Sequence, residues 1–122
     1  MSAQQFSGEI RHRGTSAVLD LSGDIDGNAD PALRTLYHEA LTATPATVVL
    51  NFEGVGYINS TGIALIVGLL AEARKTHQTV LAIGLSPHYR EIFQVTRLSD
   101  FMPMFQDEEA ALAGTASPAP TA

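Results

Sequence analysis

The segment from Gly54 to Gly62 contains the residues best suited to chemistry, with Asn59, Ser60 and Thr61 in succession near its end. It follows a predicted strand and opens a predicted helix, which is where phosphate-binding loops are found. As a dinucleotide fingerprint it reads G-x-G-x-x-N and lacks the third glycine. As a nucleophile elbow, whose pattern is G-x-S-x-G, it reads I-x-S-x-G and lacks the first glycine. On spacing alone we therefore interpret Ser60 as a residue that caps the helix.

Two carboxylates, Asp24 and Asp26, lie in a segment dense in turn-forming residues, from Gly23 to Asn28. Paired carboxylates can act as general acid and base, but Asp in a loop before a helix usually stabilises the turn. The histidines show no i, i+4 pair and the chain has no cysteine to complete a metal site; they are His12, His38, His77 and His88. We predict surface histidines, no catalytic residue, no metal and no cofactor.

The elements that position these residues are predicted by apolar periodicity. Residues alternate between the two sides of a strand over 6–13, which indicates a half-exposed strand. A second strand follows at 17–21, so the two are predicted to form a hairpin. Nearly continuous apolar runs at 47–52 and 80–83 are typical of strands covered on both faces, and 102–105 suits a short last strand. Helical spacing predicts helices from Asp30 to before Pro45, over 60–76, after Ser86 and over 108–113.

Two of these helices begin with a capping residue followed by proline, at Asp30-Pro31 and at Ser86-Pro87. The helix over 60–76 is predicted to pack through one apolar face, formed by Ile63, Ile66, Val67 and Leu70. A seam of small residues beside that face permits close packing; it consists of Ala64, Gly68 and Ala71.

The order of the elements, β-β-α-β-α-β-α, predicts a mixed sheet of four or five strands with packed helices, because strands joined through helices usually run parallel. The 122 residues suffice for one domain. We assign residues 1–113 to that domain and predict a disordered tail at 114–122, which is rich in Ser, Thr, Pro and Ala.

Composition excludes several classes of function. The formal net charge is −6 with only seven Lys and Arg residues, whereas nucleic-acid binding relies on clustered cations. No apolar run approaches the roughly 20 residues that span a bilayer, and the first residues do not form a secretory signal. The absence of cysteine favours a reducing compartment. We expect a cytoplasmic protein that neither inserts into membranes nor contacts nucleic acid directly.

Three segments together resemble the STAS domain of bacterial anti-sigma factor antagonists. They are Ser22-Gly23-Asp24-Ile25-Asp26, Val48-Val49-Leu50-Asn51-Phe52-Glu53-Gly54-Val55 and Ile58-Asn59-Ser60-Thr61-Gly62-Ile63. Gly84-Leu85-Ser86-Pro87, Ile92-Phe93 and Thr96-Arg97-Leu98 continue the match, so that it covers about residues 6–112. The resemblance implies an α/β fold with a single STAS-type domain.

In that family, a serine at the start of the second helix is phosphorylated by an anti-sigma factor with serine kinase activity. The unphosphorylated form binds the anti-sigma factor, and a metal-dependent serine phosphatase restores it. The resemblance implies that Ser60 is the phosphorylated residue and that the protein is a binding switch, not an enzyme, that affects transcription indirectly. The partner-binding surface that it implies consists of Asp24, Asp26, Asn28, Asn59, Ser60, Thr61 and Gly62.

The sequence departs from the family at Asn59, where an acidic residue usually precedes the serine. Asparagine keeps the size and hydrogen-bonding capacity but removes a negative charge, so kinase recognition is expected to differ. The alternative function is a STAS-like accessory subunit of a transport or nucleotide-sensing assembly that binds without being phosphorylated. A third hypothesis is a hydrolase that uses Ser60 as its nucleophile. The sequence contains no recognisable base or orienting group for such a serine, which is evidence against this hypothesis.

Overall fold

The structure of the protein is a computed structural model, which describes residues 4–116. Its strands are β1 (Ser7–Arg13), β2 (Ser16–Ile25), β3 (Thr47–Ile58), β4 (Thr79–Ile83) and β5 (Met104–Phe105). Its helices are α1 (Asp30–Leu41), α2 (Ser60–Thr76), α3 (Pro87–Val95) and α4 (Glu108–Ala116). Short 3-10 turns lie at Gly27–Ala29 and Leu98–Asp100. No helix within residues 4–116 is long and apolar enough to cross a membrane.

The strands form one sheet in the order in which they occur along the chain. β1 and β2 are antiparallel and joined through Gly14, whose φ of +59° is in the left-handed region that suits glycine. Every other neighbouring pair is parallel and connected through a helix. The predicted mixed sheet is confirmed, including the short last strand, although that strand begins at Met104 and not at residue 102.

The two faces of the sheet are covered unequally. Helices α1, α2 and α3 pack on one face, where alternate strand residues such as Leu19, Leu50 and Ala82 enter the main core. The intervening residues point to the other face, where Val18 and Val49 form a smaller cluster with Ala111 of α4. Because central strands are buried on both faces, their sequences are almost continuously apolar.

The buried face of α2 is different from the predicted one. Ile66 and Leu70 are buried as expected and Ile63 is partly buried, but Val67 is 47% exposed. The predicted seam of small residues is also exposed, since Ala64, Gly68 and Ala71 face outwards. The residues buried instead are Gly62, Leu69 and Ala73. Apolar residues cover most of the circumference of α2, so spacing could not select the buried face.

Strands β2 and β3 are longer than predicted. β2 continues through the turn-like segment to Ile25, and β3 continues through Gly54 to Ile58. Register shifts at Asp20/Ser22 and Gly23/Asp24 accommodate these residues in the ladder. β4 ends at Ile83, opposite Asn51, so the last part of β2 and β3 projects beyond the sheet as a two-stranded ribbon.

Two helix starts were predicted from a capping residue followed by proline, and one of these is correct. Ser86 is the N-cap of α3, with Pro87 in the first turn, and its hydroxyl accepts a hydrogen bond from the Tyr89 amide at 3.4 Å. Asp30 is not a cap but the first residue of α1, and its carboxylate pairs with Arg34 at 2.8 Å. The N-terminal residue of a helix favours a negative charge, so Asp30 suits either position.

Helix α4 is held to the sheet by a network of ion pairs in addition to its apolar contacts. The Arg11 guanidinium lies 2.6 Å from Asp20 and 2.7 Å from Glu108, and Arg13 pairs with Glu108 and Glu109. Hydrogen bonds from Arg11 lower the pKa of the Asp20 and Glu108 carboxyls below their usual values. α4 extends to Ala116, three residues beyond its predicted end, and the rest of the predicted tail, 117–122, lies outside the described residues.

Ile66→Ala is expected to lower the free energy of unfolding by about 2–5 kcal/mol, because the side chain is 1% exposed and its removal leaves a cavity. Val67→Ala is the matched control one residue along the same helix. Its effect should stay within about 0.5 kcal/mol, since the side chain is half exposed and alanine has the higher helix propensity. Denaturant unfolding measures both, and equal losses would contradict the orientation of α2.

Arg11→Gln should lower the free energy of unfolding at pH 7 by about 1 kcal/mol, at the upper end for exposed ion pairs. The Asp20 and Glu108 pKa values are lower in the folded protein, so the stability they provide is complete above their unfolded values and is lost as pH falls through the folded ones. The variant should therefore lose less stability than the wild type between about pH 5 and pH 2. Urea unfolding across that range measures this.

Arg97→Gln is the control for that experiment, because Arg97 forms an exposed pair with Asp100 three residues away. It should leave the pH dependence unchanged. An equal change in both variants would show that overall charge, and not the Arg11 network, governs acid stability.

Candidate functional site

The start of α2 is capped by Asn59 and not by Ser60. Asn59 has extended backbone angles, φ −93° and ψ −177°, and its Oδ1 accepts a hydrogen bond from the Gly62 amide at 2.8 Å. Ser60 is already the first helical residue and is exposed. Asparagine and serine rank equally as caps, so the sequence did not decide between them. The interpretation of Ser60 as the cap is wrong, and its hydroxyl is free for another role.

Gly62 allows α2 to begin directly against β2. A Cβ atom at this position would lie 1.9 Å from the carbonyl oxygen of Ile25, so no side chain fits. The same carbonyl accepts a hydrogen bond from the Asn59 amide at 3.2 Å. Gly62 is buried and serves this packing. The contact with a partner that the resemblance implies for it stays a prediction.

The loop after β2 lies beside the start of α2. The Asp26 carboxylate accepts a hydrogen bond from the Asn28 amide at 2.9 Å and so caps the 3-10 turn Gly27–Ala29. A Cβ atom at Gly27 would lie 3.5 Å from the Thr61 methyl group. The structure therefore brings the turn that Asp26 caps next to Thr61, the neighbour of Ser60. It also gives Asp26 a structural role.

Asp24 is engaged with the beginning of the chain. Its carboxylate accepts a hydrogen bond from the Gln4 amide at 3.2 Å, and its own amide donates to the Gln4 carbonyl at 2.9 Å. Gly23, with φ +86°, lies so close that a Cβ atom there would be 2.2 Å from the Gln5 carbonyl oxygen. Asp24 is thus partly buried on the projecting ribbon and holds the first described residues against β2.

An outward face of small side chains continues from Ser60 along α2. We call it the small-residue face; its exposed members are Ser60, Thr61, Ala64, Val67, Gly68 and Ala71. No atom lies within 4 Å of a Cβ built at Gly68, so this face is open. The charged residues that follow are Glu72, which is partly exposed one turn beyond Gly68, and Arg74 and Lys75 in the last turn. Small, uncharged side chains permit close approach of another protein.

Within residues 4–116, the Ser60 hydroxyl has no hydrogen-bond partner, and no cluster of three potential metal ligands is present. The histidines are all exposed, as predicted. His38 pairs with Glu72 at 2.6 Å, between α1 and α2, and His77 ends α2 in the left-handed conformation. An activated serine needs a base within hydrogen-bond reach. The arrangement at Ser60 is that of an accessible hydroxyl and not of a nucleophile with its base.

Tyr89 also supports this site, although it was not among the residues predicted from the sequence. Its hydroxyl accepts a hydrogen bond from the Ile58 amide at 2.9 Å, and its ring is buried. This bond ties α3 to the end of β3, two residues before Ser60. The sequence signal that could have identified it is a tyrosine in a predicted core position, because a buried tyrosine hydroxyl usually has a hydrogen-bond partner.

A family model described as "Mlab, STAS domain" matches residues 9–106, which include both the loop after β2 and the start of α2. The chain belongs to the STAS domain family. A relative of this STAS domain, the anti-sigma F factor antagonist of Lysinibacillus sphaericus, is 27% identical over 96 residues, covering 78% of the chain and 82% of the relative.

Two solved structures share the fold of this STAS domain. An anti-sigma factor antagonist from Mycobacterium paratuberculosis superposes with a TM-score of 0.80 at 18% identity, covering 93% of the chain and 96% of that protein. The Bacillus cell fate determinant SpoIIAA in its phosphorylated form superposes with a TM-score of 0.66 at 24% identity, covering 88% of the chain and 98% of that protein. The predicted STAS-type α/β fold is confirmed.

Asn59→Ala is expected to cost about 0.5–2 kcal/mol of stability, because it removes the side chain that accepts from the Gly62 amide. Asn59→Asp should keep the stability, since a carboxylate caps as well and suits the helix N-terminus. Ser60→Ala should change it by less than about 0.5 kcal/mol. Thermal or urea unfolding measures all three, and a loss for Ser60→Ala equal to that of Asn59→Ala would return the cap to Ser60.

Proposed function

We propose that this STAS domain is an anti-sigma factor antagonist whose partner docks on Ser60, Thr61 and the rest of the small-residue face, and whose binding is switched by phosphorylation of Ser60. The observation that carries the proposal is the position of Ser60, exposed at a helix start with its hydroxyl unbonded, at one end of an open, uncharged face. The names of the relatives support the class of partner.

A phosphoryl group on Ser60 is compatible with the fold. It adds about −1.5 to −2 charge at the N-terminus of a 17-residue helix, where the macrodipole favours an anion. Because Asn59 and not Ser60 supplies the cap, modification leaves the first hydrogen bond of α2 in place. Asn59 is also neutral, so it does not repel the phosphate. The effect of phosphorylation is therefore expected at the docked surface and not in the fold.

A partner packed against the small-residue face would be sensitive to that charge. Small side chains such as Ala64, Gly68 and Ala71 let a partner approach closely, and close approach excludes water. A dianion at Ser60 would then have to lose its hydration without gaining a compensating group. A penalty of about 3 kcal/mol weakens binding roughly a hundredfold.

The partners in this proposal are an anti-sigma factor with serine kinase activity and a metal-dependent serine phosphatase, all in the cytoplasm. Asp26 and Asn28 flank Gly27, which lies beside Thr61, and they extend the docking surface across the loop after β2. The protein itself acts by binding and performs no catalysis.

To test the proposal, the kinase partner is first isolated from the native cell with the wild-type chain as bait. Phosphorylation of Ser60 is then detected by mass spectrometry, and the affinity of each variant for the partner is measured. Ser60→Ala should not be labelled by the kinase and should bind the unmodified partner with wild-type affinity. Ser60→Asp should bind at least tenfold more weakly, although one carboxylate only partly imitates a phosphate.

Thr61→Ala is the matched control, because it removes the adjacent hydroxyl of the same exposed turn. It should be labelled and should bind like the wild type. Labelling of Ser60→Ala at the wild-type rate would contradict the assignment of Ser60. Undiminished binding by Ser60→Asp would instead favour the accessory subunit that binds without being phosphorylated.

A further inference from the structure

A cleft lies where α3 faces the ends of β4 and β5, and none of the residues assigned to the Ser60 surface lines it. Its volume is about 320 Å³, enough for a small organic molecule. Arg90 and Gln94, one helical turn apart on α3, form one side, and Gln106, just after β5, forms another. The Arg90 guanidinium has only hydrogen-bond donors, and each glutamine amide offers donors besides its acceptor oxygen, so together they can bind an anion.

The charge of Arg90 is not neutralised by the protein. Five of the seven cationic side chains contact a carboxylate or an aromatic ring: Arg11, Arg13, Arg34, Arg74 and Arg97. Within residues 4–116, Arg90 and Lys75 have no such contact, and only Arg90 of these two lines the cleft. The side-chain amides of Gln94 and Gln106 also have no hydrogen-bond partner in the described part of the chain.

The lining of the cleft contains no acidic residue, in a chain with 13 Asp and Glu and a net charge of −6. Arg90 is therefore the one charged side chain in the lining of this cleft, and its charge is opposite to the net charge of the protein. Its remaining wall is apolar, formed by the partly buried side chains of Leu85, Met104 and Phe105. An anion that fits both the polar side and the apolar wall of the cleft has an organic group beside its charged group.

Acidic residues limit how far that anion can extend. Gly84 and Gln106 also line a neighbouring groove. Its charged residues are one cation, Arg11, which is paired with Glu108, and the further carboxylates Glu53, Asp107 and Glu109. A ligand with a second anionic group reaching into that groove would meet several carboxylates. The groove therefore selects against polyanions such as nucleoside triphosphates and favours compact anions with one charged group.

We propose that this cleft binds a small organic anion with one carboxylate or phosphate group, held by Arg90 together with Gln94 and Gln106. The guanidinium of Arg90 matches the two oxygens of either group in a bidentate geometry. The apolar wall receives the organic part. Binding here is independent of the switch proposed for Ser60.

The experiment is a ¹⁵N NMR titration of the full chain with benzoate and with phenyl phosphate. Saturable shifts are expected at Gly84, Gln94 and Gln106, and the tighter of the two ligands identifies the anionic group. Arg90→Gln should weaken the binding about tenfold, the loss of one charge-assisted hydrogen bond. Arg90 is exposed, so the variant should keep the dispersed wild-type spectrum.

Lys75→Gln is the matched control, because it removes the other uncontacted cation and changes the net charge equally. It should leave the affinity within twofold. Equal weakening by both variants would show attraction to net charge and overturn the proposal, as would the absence of saturable shifts at millimolar ligand. Inorganic phosphate binding as tightly as phenyl phosphate would overturn the role of the apolar wall. Ser60→Ala should bind both ligands normally.

Discussion

The contact between the first turn of α2 and the carbonyl oxygen of Ile25 is the constraint on which the site depends. It exists because Gly62 has no side chain, and it fixes the helix start against the end of β2. With that contact made, Asn59 is left to cap the helix and Ser60 is turned to the solvent. The same contact brings the turn capped by Asp26 beside Thr61. One close approach of backbone to backbone thus assembles two loops that are more than thirty residues apart.

The projecting ribbon of β2 and β3 explains why this assembly is accessible. The two strands continue past the end of β4 and carry the loops beyond the body of the sheet. A projecting pair of strands has few neighbours, and the hydrogen bond from the Ile58 amide to the Tyr89 hydroxyl gives it support from α3. Ser60 is therefore placed on a rigid base while remaining exposed, which is the combination that a recognition site needs.

Much of this arrangement could be predicted from the sequence. The Ser86-Pro87 signal located α3, and the apolar runs located the central strands, because local chemistry decides both. The lengths of β2 and β3 could not be predicted, because glycines such as Gly23 and Gly54 are typical of turns. Only pairing between the two strands places them in the sheet. The buried face of α2 depended on which neighbours packed against it. Asn59 and Ser60 were equally good caps, and only the backbone angles distinguish them.

The order in which the layers are completed has a consequence for biosynthesis. The strands pair in the order of translation, so the sheet and the helices on its first face can assemble as the chain emerges. The second face is completed only when α4 has been synthesised, because Ala111 of α4 covers Val18 and Val49. Until that helix leaves the ribosome, the nascent protein presents a bare apolar strip on central strands. Shielding of this strip by a chaperone, or rapid completion of the last turns, would decide how much of the newly made protein escapes aggregation.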